Sequence, residues 1–211
     1  IARYYDVTCG YDPRDPYSLP RHDRWEAELG TFRDRLRGRR MAIVVDLGTA
    51  EVLPEVAEVV QQAAEQLAAD AGLELVELDF TAPKLGFDWA MGNLASLRAE
   101  LADHWPDCAE DLTKEMAFGM QLGEGEYDME MAARAEAART AANETLADAF
   151  ESVDFLVSAT NPDVAFPAEV GANTRVGDRK AGLENNGALT IPYNIYGNPS
   201  LSIPIQTVND L

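Results

Sequence analysis

Residues 188–205 read Ala188-Leu189-Thr190-Ile191-Pro192-Tyr193-Asn194-Ile195-Tyr196-Gly197-Asn198-Pro199-Ser200-Leu201-Ser202-Ile203-Pro204-Ile205. Two short apolar, partly β-branched runs, each closed by a proline, flank a polar Asn-x-x-Gly-Asn-Pro segment. Asparagine, glycine and proline set unusual backbone angles, so the stretch predicts a fixed turn between two buried, strand-like segments.

Immediately upstream, residues 171–186 are polar, with Arg175, Asp178, Arg179, Lys180 and Glu184. Their length and composition predict a mobile surface loop of the kind that gates sites. Before it, Asp154-Phe155-Leu156-Val157-Ser158-Ala159-Thr160 is a buried-strand candidate that Asn161-Pro162 halts. The loop over 161–167 therefore leaves the carboxyl end of a strand, where open α/β sheets hold their ligands.

The middle of the chain is helical in composition, broken by Pro106, Gly119, Gly123 and Gly125, and three helices are expected near 87–103, 107–121 and 127–150. Within it, Trp89, Met91, Met116, Phe118 and Met120 are either core or the lining of an acyl pocket. Further back, Met41-Ala42-Ile43-Val44-Val45-Asp46 predicts a buried strand. Pro54 opens a helix whose Val56, Val59, Val60, Ala63, Leu67 and Ala71 recur at helical spacing until Gly72 ends it. Residues 73–79 alternate apolar and acidic, the pattern of a half-exposed strand. Strand, helix and strand make a βαβ unit with parallel strands. At the start, residues 2–8 end a helix that Gly10 stops, and the Asp-Pro steps over 11–20 force turns or extended backbone.

Composition narrows the function. A net charge of -20 repels phosphate backbones, so nucleic acid is not an expected partner. With only three lysines (Lys84, Lys114, Lys180) beside 14 arginines and 37 acids, the surface reads as solvated and acidic, a balance that salt adaptation would also produce. No run of about 18 apolar residues is present, so no membrane span is expected. Cys9 and Cys108 form no Cys-x-x-Cys pair and read as buried free thiols of a reducing cytoplasm, and His22 and His104 lack metal-site spacing. Neither metal nor organic cofactor is expected, and a cytoplasmic location is. A chain opening on Ile1-Ala2-Arg3, without signal peptide or initiator methionine, suggests a start within a longer protein.

The closing stretch resembles the amidase signature family, in which Thr-x-Pro-x-Asn-x-x-Gly-x-Pro leads into a strand ending in proline. The matching positions are Thr190, Pro192, Asn194, Gly197, Pro199 and Pro204. The Gly-Tyr-Asp-Pro-Arg-Asp-Pro segment at 10–16 is similar to the family's Asp-Pro-x-Asp loop, and the Asp154 strand to its Asp-x-Leu-x-x-Pro-Thr strand, with Asn161-Pro162 arriving after Thr160. The resemblance implies an α/β fold, α/β/α layers around a mixed β-sheet, of which residues 1–211 are the C-terminal portion of a single amidase domain.

The same resemblance implies hydrolysis of a small carboxamide to a carboxylate and ammonia or amine. A serine attacks the carbonyl while a second serine and a lysine move protons, through an acyl-enzyme. The family carries that lysine and the Gly/Ser-rich serine segment upstream of the matched region. No catalytic residue is therefore expected in this chain; the partners implied are an amide substrate and an N-terminal catalytic portion, and a homodimer is allowed. Tyr193, Asn194, Ile195 and Tyr196 fall where the family approaches its acyl-binding region, with Asn161 and Phe166 on the preceding strand-end loop. These six are the expected substrate wall, Tyr196 and Phe166 forming an apolar slot for aryl or hydrophobic acyl groups. An asparagine at a turn more often bonds backbone, so Asn194 is also readable as structural. Ser200 and Ser202 read as strand residues, far from any nucleophile-elbow spacing. Two other classes fit the resemblance: the amidase-like subunit of a tRNA-dependent amidotransferase, and a non-catalytic binding domain.

Overall fold

The computed structural model describes residues 1–18, 20–21, 24–125, 127–170 and 173–208, so Leu19, His22 and the start of the 171–186 segment lie outside the described residues. The chain opens with α1 (Ala2–Thr8), followed by turns in which the Asp6 carboxylate accepts from the backbone N–H groups of Trp25 and Glu26. A single turn, α2 (Arg33–Leu36), then delivers the chain to β1 (Arg40–Ile43).

From here the expected βαβ unit forms. Helix α3 (Pro54–Ala71) starts with proline in its first turn, where a missing N–H costs nothing. It stops at Gly72, which adopts a left-handed φ of 68° and ties its N–H to the carbonyls of Ala68 and Ala69. The chain returns as β2 (Glu74–Leu75), parallel to β1 with Arg40 opposite Glu74 and Met41 opposite Leu75. The ladder spans these two pairs, shorter than the alternation over 73–79 predicts.

Three helices follow, as expected, with one correction. After α4 (Gly86–Glu100), the segment expected as a helix over 107–121 divides into a 3-10 turn (Asp107–Asp111) and α5 (Lys114–Leu122). The reason is Thr113, which sits extended and caps α5 by accepting from the Met116 N–H. Asp128 does the same for α6 (Met129–Ser152) through the Met131 N–H at 2.7 Å. Of the Met and aromatic set, Met91 and Met120 are buried core, whereas Trp89, Met116 and Phe118 are exposed.

Strand β3 (Phe155–Val157) lies on the other side of β1, again parallel, giving the order β2-β1-β3. Central β1 therefore holds the buried Met41 and Ala42. Helix α3 covers the sheet where Ala64 and Ala68 meet Met41. Helix α6 contributes Leu146 and Ala149 to the larger core, together with Leu47, Phe80, Ala82, Ala159 and Leu189. Among the described residues no helix is long and apolar enough to cross a membrane.

The last part corrects the sequence expectations most. Residues 173–186 are not an irregular loop: β4 (Arg175–Val176) and β5 (Arg179–Lys180) pair antiparallel, and a 3-10 turn (Leu183–Asn186) follows. The first apolar run of the closing stretch is not strand-like but helical, α7 (Ile191–Tyr196), with Pro192 in its first turn and Gly197 ending it at φ 70°. The second run, 198–207, forms no strand among the described residues, and Leu201, Ile203 and Ile205 are 62%, 55% and 47% exposed. The apolar side chains of such a run are buried only when another layer packs on the face they occupy.

Candidate functional site

Because β1, β2 and β3 are parallel, all three end at the same edge of the sheet, and the loops that follow Ile43, Leu75 and Val157 converge there. Backbone bonds knit them together. Ala159 N–H reaches the Val45 carbonyl at 3.0 Å, Ala82 N–H the Leu47 carbonyl at 2.8 Å, and Leu53 N–H the Pro162 carbonyl at 2.8 Å. Leu47 is buried with a φ of 50°, a conformation that costs a branched residue energy and that this surrounding network holds in place.

The hairpin clamps this edge. Arg179 donates to the Val52 carbonyl and pairs with Glu51 at 2.9 Å. Asp163 accepts from the Gly177 N–H with one carboxylate oxygen and from the Val164 N–H with the other. Asn185, buried, bonds both backbone groups of Glu51. The segment expected to gate a site is thus tied to two of the converging loops.

Helix α7 lies against the same edge, and on it the four predicted residues separate. Tyr193 and Tyr196 turn inward onto the larger core. The Tyr193 hydroxyl is 3.3 Å from the Ser158 hydroxyl, just past the end of β3. Burial pushes the Tyr193 phenol up from its ordinary value, and the bond to Ser158 only partly offsets this. The Tyr196 hydroxyl is enclosed by the chain without a hydrogen-bond partner among the described residues, and its pKa is pushed up to about 12, first by burial and then by the neighbouring Tyr193. Both phenols are protonated donors near neutrality. Asn194 is exposed and donates to the Thr190 carbonyl at 3.1 Å, a bond to backbone. Ile195 is half-buried.

Asn161 is exposed at the start of the β3 loop, and Phe166, further along it, is 43% exposed. The structure gathers Tyr193, Asn194, Ile195 and Tyr196 on one helix and places Asn161 on the loop beside it. Phe166 stays exposed, while the Tyr196 hydroxyl is turned away from solvent. Of two surface clefts, of about 450 and 530 Å³, one lies in the α4–α5 region and the other at the carboxyl ends of β1 and β2. The first is lined by residues of the α4–α5 region such as Arg98, Trp105 and Glu124, the second by Gln61 and residues 75–79 beside Ile43.

Two polar contacts at this edge escape sequence reasoning. Ser158 is the first polar residue after an apolar strand, a position that invites attention; its partner 35 residues away is invisible in sequence. Thr160 and Ser202 place their hydroxyls 3.0 Å apart, tying the C-terminal run to the start of the β3 loop. Ser200 donates to the Asn198 carbonyl. None of these serines hydrogen-bonds a lysine among the described residues. Chemically the cluster of hydroxyls and neutral phenols donates and accepts hydrogen bonds; it offers no group poised as a base near neutral pH.

Comparison with known proteins agrees with this architecture. The chain is 29% identical over 229 residues to a glutamyl-tRNA(Gln) amidotransferase subunit of Acaryochloris marina, covering 93% of this chain and 44% of that protein. It is 30% identical over 244 residues to the subunit of the same name from Salinispora tropica, covering 100% of this chain and 47% of the relative. It therefore spans less than half the length of these relatives. Among solved structures, it superposes on a bacterial aryl acylamidase of the amidase signature enzymes with a TM-score of 0.76 at 17% identity, covering 95% of this chain and 43% of that one. Against the Thermotoga maritima subunit of glutamyl-tRNA(Gln) amidotransferase the TM-score is 0.66 at 19% identity, covering 99% and 44%. These structural matches show a shared fold. The amidase family model matches residues 1–210, nearly the whole chain, and with the parallel sheet and its convergent loops this places the chain in the amidase family.

Proposed function

We propose that this chain is the C-terminal portion of a single amidase domain that hydrolyses a small carboxamide through a Ser-Ser-Lys acyl-enzyme mechanism. The serines and lysine lie in polypeptide upstream of Ile1. The observation that carries the proposal is the family match over residues 1–210, in a chain that covers 44% of a relative's length. The exposed run with Leu201, Ile203 and Ile205 supports it, since further polypeptide of the same domain would cover that apolar face. In this reading Asn161, Phe166, Tyr193, Asn194, Ile195 and Tyr196 serve the substrate wall from the strand-end loop and α7. Tyr193 and Tyr196 act from behind, as the packed base of the helix that presents Asn194 and Ile195. No metal or organic cofactor takes part, and the chain alone is inactive.

The test is a panel of aliphatic and aromatic amides given to the intact protein and to residues 1–211 alone, together with a serine-reactive fluorophosphonate and an intact mass. Turnover and labelling should require the longer polypeptide. Labelling of any serine within residues 1–211 would overturn the assignment.

A second reading has a specific observation behind it, because both relatives described above are named as subunits of glutamyl-tRNA(Gln) amidotransferase. If this chain belongs to such an assembly, it co-purifies with partner subunits and releases ammonia from glutamine in preference to other amides. General amidase activity without a partner would decide for the first reading.

A further inference from the structure

The acidic balance of the chain is distributed over the fold in a way that bears on when the fold is stable. Helix α3 carries Glu55, Glu58, Glu65 and Asp70 and has no lysine or arginine along its 18 residues. Where an i,i+4 lysine would pair with an acid, the helix uses glutamine: Gln61 donates to Glu65 at 2.7 Å, Gln62 to Glu58 at 3.1 Å and Gln66 to Asp70 at 2.9 Å. These bonds engage one oxygen of each carboxylate and leave the charges uncancelled.

Helix α6 segregates its charge. Its arginines, Arg134 and Arg139, sit in the N-terminal half, each paired with a glutamate. Glu144, Asp148 and Glu151 occupy the C-terminal half, spaced four and three residues apart on exposed positions. Like charges at that spacing repel, and a helix C-terminus favours cations. Arg40 reaches the Glu151 carbonyl and relieves only the last turn. Asp70 stands in the same unfavourable place in the last turn of α3. Across the described residues, seven ion pairs, one acid each, engage a small minority of the 37 acids.

We propose that this fold is salt-conditional: the acidic faces and C-terminal turns of α3 and α6 destabilise it in dilute buffer, and a dense atmosphere of small hydrated cations restores it. Screening acts on this kind of exposed repulsion, since the Debye length falls from about 10 Å at 0.1 M to about 3 Å at 1 M salt. Repulsion between acids three and four residues apart, and between acids and helix C-termini, is short-ranged. It fades only when the screening length approaches those separations, so the salt requirement extends toward molar concentration. This inference does not depend on which amide the protein acts on.

The experiment is thermal unfolding of the intact protein by circular dichroism from about 0.05 to about 2 M KCl, for the parent and for Asp70→Asn/Asp148→Asn and Asp70→Lys/Asp148→Lys. The parent midpoint should rise by about 10 °C or more across the series. Both double variants should melt above the parent at the lowest salt and show a shallower salt dependence, the lysine pair more so. The asparagine pair keeps the test valid if charge reversal prevents folding. A parent midpoint that is flat or falls with KCl, or variants whose salt slope equals the parent's, would overturn the proposal.

Discussion

Asn185 completes the backbone of Glu51 from 134 residues away: its side-chain amide donates to the Glu51 carbonyl at 2.9 Å while its side-chain oxygen accepts the Glu51 N–H at 2.8 Å. One side chain thereby imitates a strand neighbour and fastens the 3-10 turn after β5 to the loop between β1 and α3. Asn185 is 7% exposed, so nothing from solvent replaces it readily. Asn185→Leu should destabilise by about 3 kcal/mol, since two backbone groups lose their partners in a part-buried place. Asn185→Asp should also be harmful, because a carboxylate would face the Glu51 carbonyl without a donor. Denaturant titration gives the stability, and amide exchange should show loss of protection centred on residue 51.

The two tyrosines of α7 are expected to respond in opposite directions to the same change. Tyr196→Phe removes a hydroxyl that is enclosed without a partner among the described residues and should be neutral or stabilising by up to about 1 kcal/mol. Tyr193→Phe removes the partner of Ser158 and should cost about 1 kcal/mol. Equal losses from both, measured by denaturant unfolding, would mean that the Tyr196 hydroxyl has a bonding partner in solution.

How far the fold is legible in the sequence depends on element length. Pro54 and Gly72 bracket α3 because eighteen residues give the periodicity room to show and both ends carry punctuation with one meaning. The same two residue types bracket α7, but six residues hold less than two turns, and Ile191 and Ile195 lend the segment a β-branched look. There the helix is decided by Pro192 in the first turn and the left-handed Gly197, not by propensity. The hairpin over 175–180 hides for a different reason. Its two ladder pairs are Arg175 with Lys180 and Val176 with Arg179, so no apolar alternation marks it, and its stability comes from Arg179, Asp163 and Asn185 reaching distant loops. Of the candidate site, the positions at strand ends were legible from topology. The inward turn of Tyr193 and Tyr196 was not, because it follows from which face of a short helix meets the core.

Asp154 links the start of β3 to the approach to β1. Its carboxylate accepts the Arg40 N–H at 2.8 Å and pairs with Arg39 at 2.9 Å. The Arg40 backbone bond chiefly, and the Arg39 guanidinium with it, hold this carboxyl below the usual aspartate value. A pKa lowered on folding gives stability that is present above the unfolded value and is lost as pH falls through the folded one. The stability difference between parent and Asp154→Asn should therefore be full near neutrality and shrink below about pH 4. Urea midpoints measured for both proteins down that range would show the two curves converging. A difference that stays constant to the lowest pH would mean that the charge of Asp154 contributes nothing.

Gly48 and Gly72 have nearly the same left-handed φ, 70° and 68°, yet replacing them should have different consequences. A Cβ at Gly72 would meet nothing nearer than the Arg37 side chain at 3.5 Å, so Gly72→Ala carries only the backbone penalty, about 1 kcal/mol. A Cβ at Gly48 would stand 2.8 Å from both the Phe80 carbonyl oxygen and the Thr81 hydroxyl, and 3.0 Å from the Thr81 Cα. Backbone cannot swing aside as a long side chain does. The loop after β1 would have to part from the segment over 80–82, straining the bond from the Ala82 N–H to the Leu47 carbonyl and disturbing the buried Leu47, Phe80 and Ala82. Gly48→Ala should therefore cost at least about 2 kcal/mol more than Gly72→Ala, as overpacking of a filled site does. If Gly48 belongs to the scaffold of the proposed substrate edge, activity of the intact enzyme should fall with Gly48→Ala and not with Gly72→Ala. Parallel denaturant curves for the two variants check the energetic half, and equal costs would show that the loops at the sheet's carboxyl edge yield more easily than their hydrogen bonds imply.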